Sequence, residues 1–173
     1  SSAASDVYKR QVMASYPNPA EFLSHRPPML LLSEVASIEE ESVQCLTKLG
    51  AQGPLAPFAN EKGLVGNEFM IELMAQTIGV WAGKWHQTPE NTDPNNPDAF
   101  AEIGLLLSVR QAKFFIEHVP NEGVLIITMH KLHQEGQLAT FEGEVRHGET
   151  LYAQGRITVY QPLESELEKL FTV

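Results

Sequence analysis

The sequence predicts an α+β fold, with one long apolar helix packed on a curved antiparallel sheet. Three observations carry this. Between Asn67 and His86 apolar residues recur at spacings of three and four, the period of a helix. From Ile103 onward the chain turns to runs with strand character, several of them joined by short turns. The two kinds of element are segregated along the chain, which argues against a doubly wound sheet.

The elements follow in order. Residues 1–12 (SSAASDVYKRQV) carry no apolar period and no secretory h-region. They are read as an adaptor-like, disordered leader before a natural start at Met13, with one domain spanning 13–173. Asn18-Pro19 opens a short helical turn, as an N-cap followed by proline at the first helical position. Pro27 and Pro28 close it, because each proline disfavours helix in its predecessor. Met29–Ile38 and Ser42–Leu49 are expected strands, joined by a solvated tip at Glu39-Glu40-Glu41. The glycines and prolines of 50–66 make that stretch a loop.

Asn67 is placed to cap the long helix, whose apolar series is Met70, Ile71, Met74, Ile78, Trp81 and Trp85. Gly79 and Gly83 inside it each cost about 1 kcal/mol relative to alanine. Close approach of a sheet or second helix is the expected compensation. Residues 87–101, with three prolines and no apolar pattern, read as a flexible excursion. Strands are then expected at 103–109, 111–118, 124–133, 138–146 and 151–161, and a short amphipathic helix at 163–171. No internal repeat or second-domain boundary is visible.

Composition narrows the function. The chain has 173 residues, 43% hydrophobic and 20% charged, with a net charge of −10. So acidic a chain excludes nucleic acid and anionic membranes as partners, because phosphate-rich surfaces need clustered Lys and Arg. A single cysteine, Cys45, forbids an intrachain disulfide and suits a reducing, cytoplasmic setting. No apolar stretch approaches the roughly 18–20 residues of a membrane helix. No cofactor motif occurs: there is neither a glycine-rich phosphate loop nor a G-x-S-x-G elbow. His130 and His133 are spaced for a helix face, but on a strand they point apart, so no metal site is expected. Arg110, Lys113 and Lys131 form the one local basic group considered for an acidic partner, against the alternative of scattered surface charge.

Two segments carry chemistry. His25-Arg26-Pro27-Pro28-Met29-Leu30-Leu31 precedes the first strand, and Glu72-Leu73-Met74-Ala75-Gln76 lies within the helix. With the late Val159-Tyr160-Gln161-Pro162, these segments resemble the hotdog-fold 3-hydroxyacyl-carrier-protein dehydratases, nearest to the ApeP-like branch of aryl polyene pathways. The resemblance spans about 16–162. It implies a single hotdog domain, a central helix wrapped by the sheet, and subunits paired edge to edge with active sites at their boundary. It also implies dehydration of a 3-hydroxyacyl thioester, delivered by acyl carrier protein, to the trans-2-enoyl product.

That reaction needs a base for the C2 proton and an acid for the departing 3-hydroxyl, together with donors aimed at the thioester oxygen. Under the resemblance Glu72 is the catalytic acid. Its neighbours Ile71 and Leu73 predict apolar surroundings, in which a carboxyl keeps its proton to higher pH. Gln76, one turn on, is expected to support it. The backbone N–H groups at Gly66 and Asn67, before the helix N-terminus, are candidate substrate-binding donors.

The dehydratases with a Gly-His-Phe-Pro loop place their histidine fourteen residues before the glutamate. That position here is Phe58, and no histidine lies between Arg26 and Gly83. His25 is therefore the candidate catalytic base, with a structural role in orienting its loop as the alternative. The subunit is then a complete homodimer, or an incomplete half of a heterodimer with a histidine-bearing hotdog partner. A hotdog acyl thioesterase is the third reading.

Overall fold

The computed structural model describes residues 16–86 and 105–171. The expected leader at 1–12 and the excursion at 87–101 lie outside them. Six strands form one antiparallel sheet: β1 (Glu34–Ile38), β2 (Ser42–Lys48), β4 (Leu105–Phe114), β6 (Val124–Glu135), β7 (Leu138–His147) and β8 (Thr150–Tyr160). Their spatial order is β1-β2-β6-β7-β8-β4. β3 (Val65–Gly66) and β5 (His118–Val119) make a separate two-residue ladder. The central helix α1 (Phe69–His86) packs on β6, β2, β7, β1 and β8, and a short helix α2 (Glu164–Phe171) ends the chain. One helix against one antiparallel sheet is the α+β arrangement expected.

The buried face of the sheet supplies Val43 and Cys45 from β2, Ile127 and Met129 from β6, Phe141 from β7 and Ile157 from β8. From α1 come Met70, Leu73, Met74, Ile78, Val80 and Trp81. Each such side chain contributes about 1.5–3 kcal/mol by leaving water. Trp81 meets Phe141 edge-on at 5.2 Å, a favoured aromatic geometry. Desolvation pushes the Cys45 thiol up to about 12, partly offset by its hydrogen bond with Thr77, which leaves it as inert packing.

Several expectations are corrected. The first strand begins at Glu34, not Met29. Leu31 N–H is taken by the Gln76 side chain and Leu31 C=O by Thr47 Oγ1, so this stretch is anchored without a strand partner for those groups. The two strands expected at 103–118 are one strand with a bulge, followed by β5. Gln111, with φ +53°, marks the break; this left-handed backbone is uncommon for a non-glycine residue. The glycines of α1 are matched by neither sheet nor helix. A Cβ on Gly79 would lie 2.6 Å from Leu23 Cδ2, and one on Gly83 2.3 Å from the Phe22 carbonyl oxygen. The N-terminal 3-10 turn (Pro19–Glu21) and its exit lie against them.

The acidic tip is more than solvated. Trp81 Nε1 donates to Glu40 O at 3.0 Å and Trp85 Nε1 to Glu39 O at 3.2 Å. Lys131 sits 5.0 Å above the Trp81 ring and 3.4 Å from the Glu41 carboxylate. Lys131 is thereby separated from Arg110 and Lys113, which lie on β4 at the far edge of the sheet. At the C-terminus, Glu166 accepts from Tyr160 Oη and from Gln137 Nε2 and ties α2 to the β7–β8 end.

Two tests follow from this packing. Gly83→Ala forces a methyl into the Phe22 carbonyl and is expected to lower stability by about 1–3 kcal/mol, read from the urea midpoint. Gly79→Ala meets only a side-chain end and costs less. The Tyr160 hydroxyl holds the Glu166 carboxylate below its ordinary range, aided by Gln137. The latch is therefore complete above the ordinary carboxylate pKa and lost as pH falls through the lowered one. Amide exchange of 164–171 should accelerate across that window in the wild type but not in Glu166→Gln.

Candidate active site

The site grows from the first turn of α1. Glu72 projects there with Gln76 one turn on, as i and i+4 positions require. Gln76 Nε2 donates to Glu72 Oε1 at 3.0 Å and to Met29 O at 2.8 Å, while Gln76 Oε1 accepts from Leu31 N at 2.9 Å. Gln76 is 2% exposed, so these bonds are made away from water, where leaving them unmade costs most. One amide thus fastens the His25–Leu31 segment to the helix and fixes one oxygen of Glu72.

That fastening brings His25 to Glu72. The two are 47 positions apart in the chain, yet His25 Nε2 lies 3.8 Å from Glu72 Oε1. The bond between Pro27 and Pro28 is cis, and Arg26 Nη1 donates to the carbonyls of Leu23 and His25, which ties the loop to the preceding turn. The His25 Nδ1 atom is buried, with no hydrogen-bond partner among the described residues. The separation of 3.8 Å exceeds direct hydrogen-bond reach, so the two groups stand side by side without bonding each other.

Glu72 is not enclosed in apolar surroundings as the sequence suggested. Its side chain keeps 42% of its accessible surface and that of His25 keeps 38%. Leu73, its chain neighbour, turns into the core, while Ile71 is only half-buried. In this chain the carboxyl is therefore on the rim of the core.

Gly66 and Asn67 are placed differently from the expected pair of oxygen donors. Asn67 N–H donates to Glu117 O at 3.0 Å and Asn67 Nδ2 to Ile116 O at 3.0 Å. Asn67 therefore staples the start of α1 to the segment before β5, and its N–H is already engaged. Among the described residues its side-chain amide bonds to Ile116 rather than to the helix N-terminus. Gly66 pairs with His118, and the Glu68 carboxylate folds over it: a Cβ there would lie 2.2 Å from Glu68 Oε2. Phe58, at the usual histidine spacing, stacks obliquely on Phe69 with centroids 4.9 Å apart. Among the described residues no group of His, Cys, Asp and Glu is arranged to hold a metal ion.

Sequence reasoning missed the Met29 and Leu31 backbone groups as the link between the two motifs. Their signal was only the order of the motifs, since backbone donors carry no side-chain signature.

Comparison with known proteins fits this geometry. A family model described as ApeP-like, ApeP dehydratase, matches residues 17–172. The chain belongs to the ApeP-like dehydratase family. It is 32% identical to a chain of the dehydratase heterocomplex ApeI:P from Xenorhabdus doucetiae, with TM-score 0.80, covering 91% of this chain and 99% of that one. A conserved protein from Pseudomonas aeruginosa (19% identity, TM-score 0.59, 84% and 100% covered) shares the fold. So does a hypothetical thioesterase with coenzyme A from Streptococcus pneumoniae (14% identity, TM-score 0.54, 75% and 88% covered). No curated protein matches the sequence. This ApeP-like chain is thus a hotdog-fold dehydratase, a lyase, as its motifs implied.

The clamp is open to a direct test. Gln76→Ala leaves Leu31 N–H and Met29 C=O without their partner and is expected to cost about 1–3 kcal/mol. Hydrogen exchange should show faster exchange at Leu31 with β6 and β7 unchanged.

Proposed function

We propose that this chain dehydrates a 3-hydroxyacyl thioester carried by acyl carrier protein, in aryl polyene or fatty-acid-like synthesis, with Glu72 and His25 as the reacting pair. The observation that carries the reading is the 3.8 Å separation of His25 Nε2 and Glu72 Oε1. A substrate whose C2–C3 bond lies against this pair presents its C2 hydrogen to one group and its C3 hydroxyl to the other. His25 takes the C2 proton, the C2–H electron pair becomes the new double bond, and the C3–O bond breaks. Glu72 gives its proton to the departing hydroxyl, which leaves as water. The pair ends with the proton on histidine and the negative charge on the carboxylate, and proton exchange with water restores it.

Gln76 acts in this scheme as a positioning residue. By donating to Glu72 Oε1 it directs the other oxygen toward the substrate. Gly66 is the remaining candidate for polarising the thioester oxygen, once Glu68 swings off it, because the Asn67 N–H is spoken for.

The second reading concerns completeness. The half-open rim around Glu72 and the heterocomplex formed by the Xenorhabdus relative both favour a site finished by another hotdog subunit. In that assembly the partner covers Glu72 and contributes the histidine that Phe58 replaces. Cys45, reduced and buried, suits a cytoplasmic setting, and no helix among the described residues is long and apolar enough to cross a membrane.

The two readings separate on substitution. Glu72→Gln is expected to lower dehydration of a 3-hydroxyacyl thioester by at least about a hundredfold, with the circular-dichroism spectrum unchanged. His25→Ala lowers it equally if His25 is the base. An active His25→Ala variant, in a chain that turns over only when mixed with a hotdog partner, assigns the base to that partner. Unimpaired turnover by Glu72→Gln overturns the chemistry altogether, and hydrolysis without an enoyl product identifies a thioesterase.

A further inference from the structure

Of the large apolar side chains that stay exposed among the described residues, Met29 alone lies in the segment that carries His25. It keeps 51% of its surface, while Leu31 and Leu32 keep 1% and 4%. Pro27 and Pro28 before it are exposed as well, so the three residues form a short apolar shelf. An exposed apolar residue is ordinary by itself. This one is set apart by how its backbone is held.

Met29 N–H donates to Arg26 O at 2.8 Å, and Met29 C=O accepts from Gln76 Nε2 at 2.8 Å. The same nitrogen donates to Glu72 Oε1 at 3.0 Å, so the Met29 carbonyl and the Glu72 carboxyl adjoin one atom. The Met29 side chain is thus carried on main chain that is already ordered, which spares a ligand the cost of ordering it.

The order of groups along α1 says which part of a substrate comes to this shelf. Gly66 precedes the helix. Asn67 N–H is bonded to Glu117 O and Gly66 stands opposite His118 in the same ladder, so the Gly66 N–H points away from β5, as the alternation of an antiparallel pair requires. A thioester oxygen held by Gly66 lies at the N-terminal end. Glu72 and His25 take C2 and C3. Gln76 follows one turn later, about 6 Å further along the axis, and Met29 is fastened to Gln76. The chain from C4 outward therefore leaves the reacting pair in the direction of Met29.

We propose that Met29 is a specificity-determining residue whose side chain packs against the acyl chain from C4 outward and favours long apolar chains. The inference rests on the proposed dehydration at Glu72 and His25 and names the substrate class that this site takes. A 3-hydroxybutyryl group ends at C4 and barely reaches the shelf. A 3-hydroxyoctanoyl group extends over it, and each methylene that leaves water adds to binding. Methionine suits this task, because its unbranched, flexible side chain adapts to the shape laid against it.

Steady-state kinetics with 3-hydroxybutyryl and 3-hydroxyoctanoyl thioesters test it, in the assembly that turns over, the chain alone or with its hotdog partner. Met29→Ala is expected to raise KM for the octanoyl substrate about tenfold with kcat nearly kept, and to leave both constants for the butyryl substrate within about twofold. Met29→Leu restores the octanoyl KM, because it returns most of the apolar area. Circular dichroism checks that each variant is folded. Loss of turnover on both substrates alike marks a structural role, and a weakened assembly in sedimentation marks a contact with the partner; either overturns the proposal, as does an unchanged octanoyl KM. In each of these cases dehydration by the wild type leaves the Glu72 chemistry standing. A wild type that forms no enoyl product from either chain overturns that chemistry and this inference with it.

Discussion

The site depends on one buried amide. Gln76 accepts from Leu31 N–H and donates to Met29 C=O and Glu72, so a single side chain solves two problems. It satisfies backbone groups of a segment that does not reach them with a strand, and it orients an ionisable group on its own helix. Because Gln76 is nearly inaccessible to water, no solvent molecule substitutes cheaply for it. The His25 loop, the path into β1 and the carboxyl of the dehydratase are therefore coupled through one residue. Thr47 reinforces the arrangement from the sheet side by donating to Leu31 O. The loop is gripped between helix and sheet, which is how a residue far away in the chain comes to stand beside Glu72.

The helix and most of the sheet were legible because their signals are local. Apolar spacing gave α1 to within two residues of its start, and strand patterning with its turns gave β6, β7 and β8 almost intact. What escaped were features set by neighbours. Met29–Ser33 is apolar enough to read as strand, but Gln76 and Thr47 claim the Leu31 peptide groups. Arg110 was read as a break between two strands, whereas the chain absorbs the irregularity as a bulge within one. Gly79 and Gly83 announced a close approach without saying by what, since the 3-10 turn that fills the space comes from 60 residues earlier.

The site was legible in a different sense. Glu72, Gln76 and His25 were found by resemblance to a motif, and the geometry groups these three. Gly66 and Asn67 were chosen because helix N-termini polarise oxygens. That argument knows nothing of competing acceptors, and the carbonyl of Glu117 reaches the Asn67 N–H first. The exposure of Glu72 was equally hidden: apolar neighbours in sequence do not enclose a side chain when one points inward and the other only grazes the core.

The tryptophan contacts at the β1–β2 turn bear on how this protein can change over generations. Both indoles donate to main-chain carbonyls, those of Glu39 and Glu40, and every residue type provides a carbonyl. The glutamate side chains at those two positions are thus released from the duty of holding the hairpin to the helix. Divergent descendants can rewrite them freely while the docking persists, whereas loss of either indole removes a contact that no change in the turn restores.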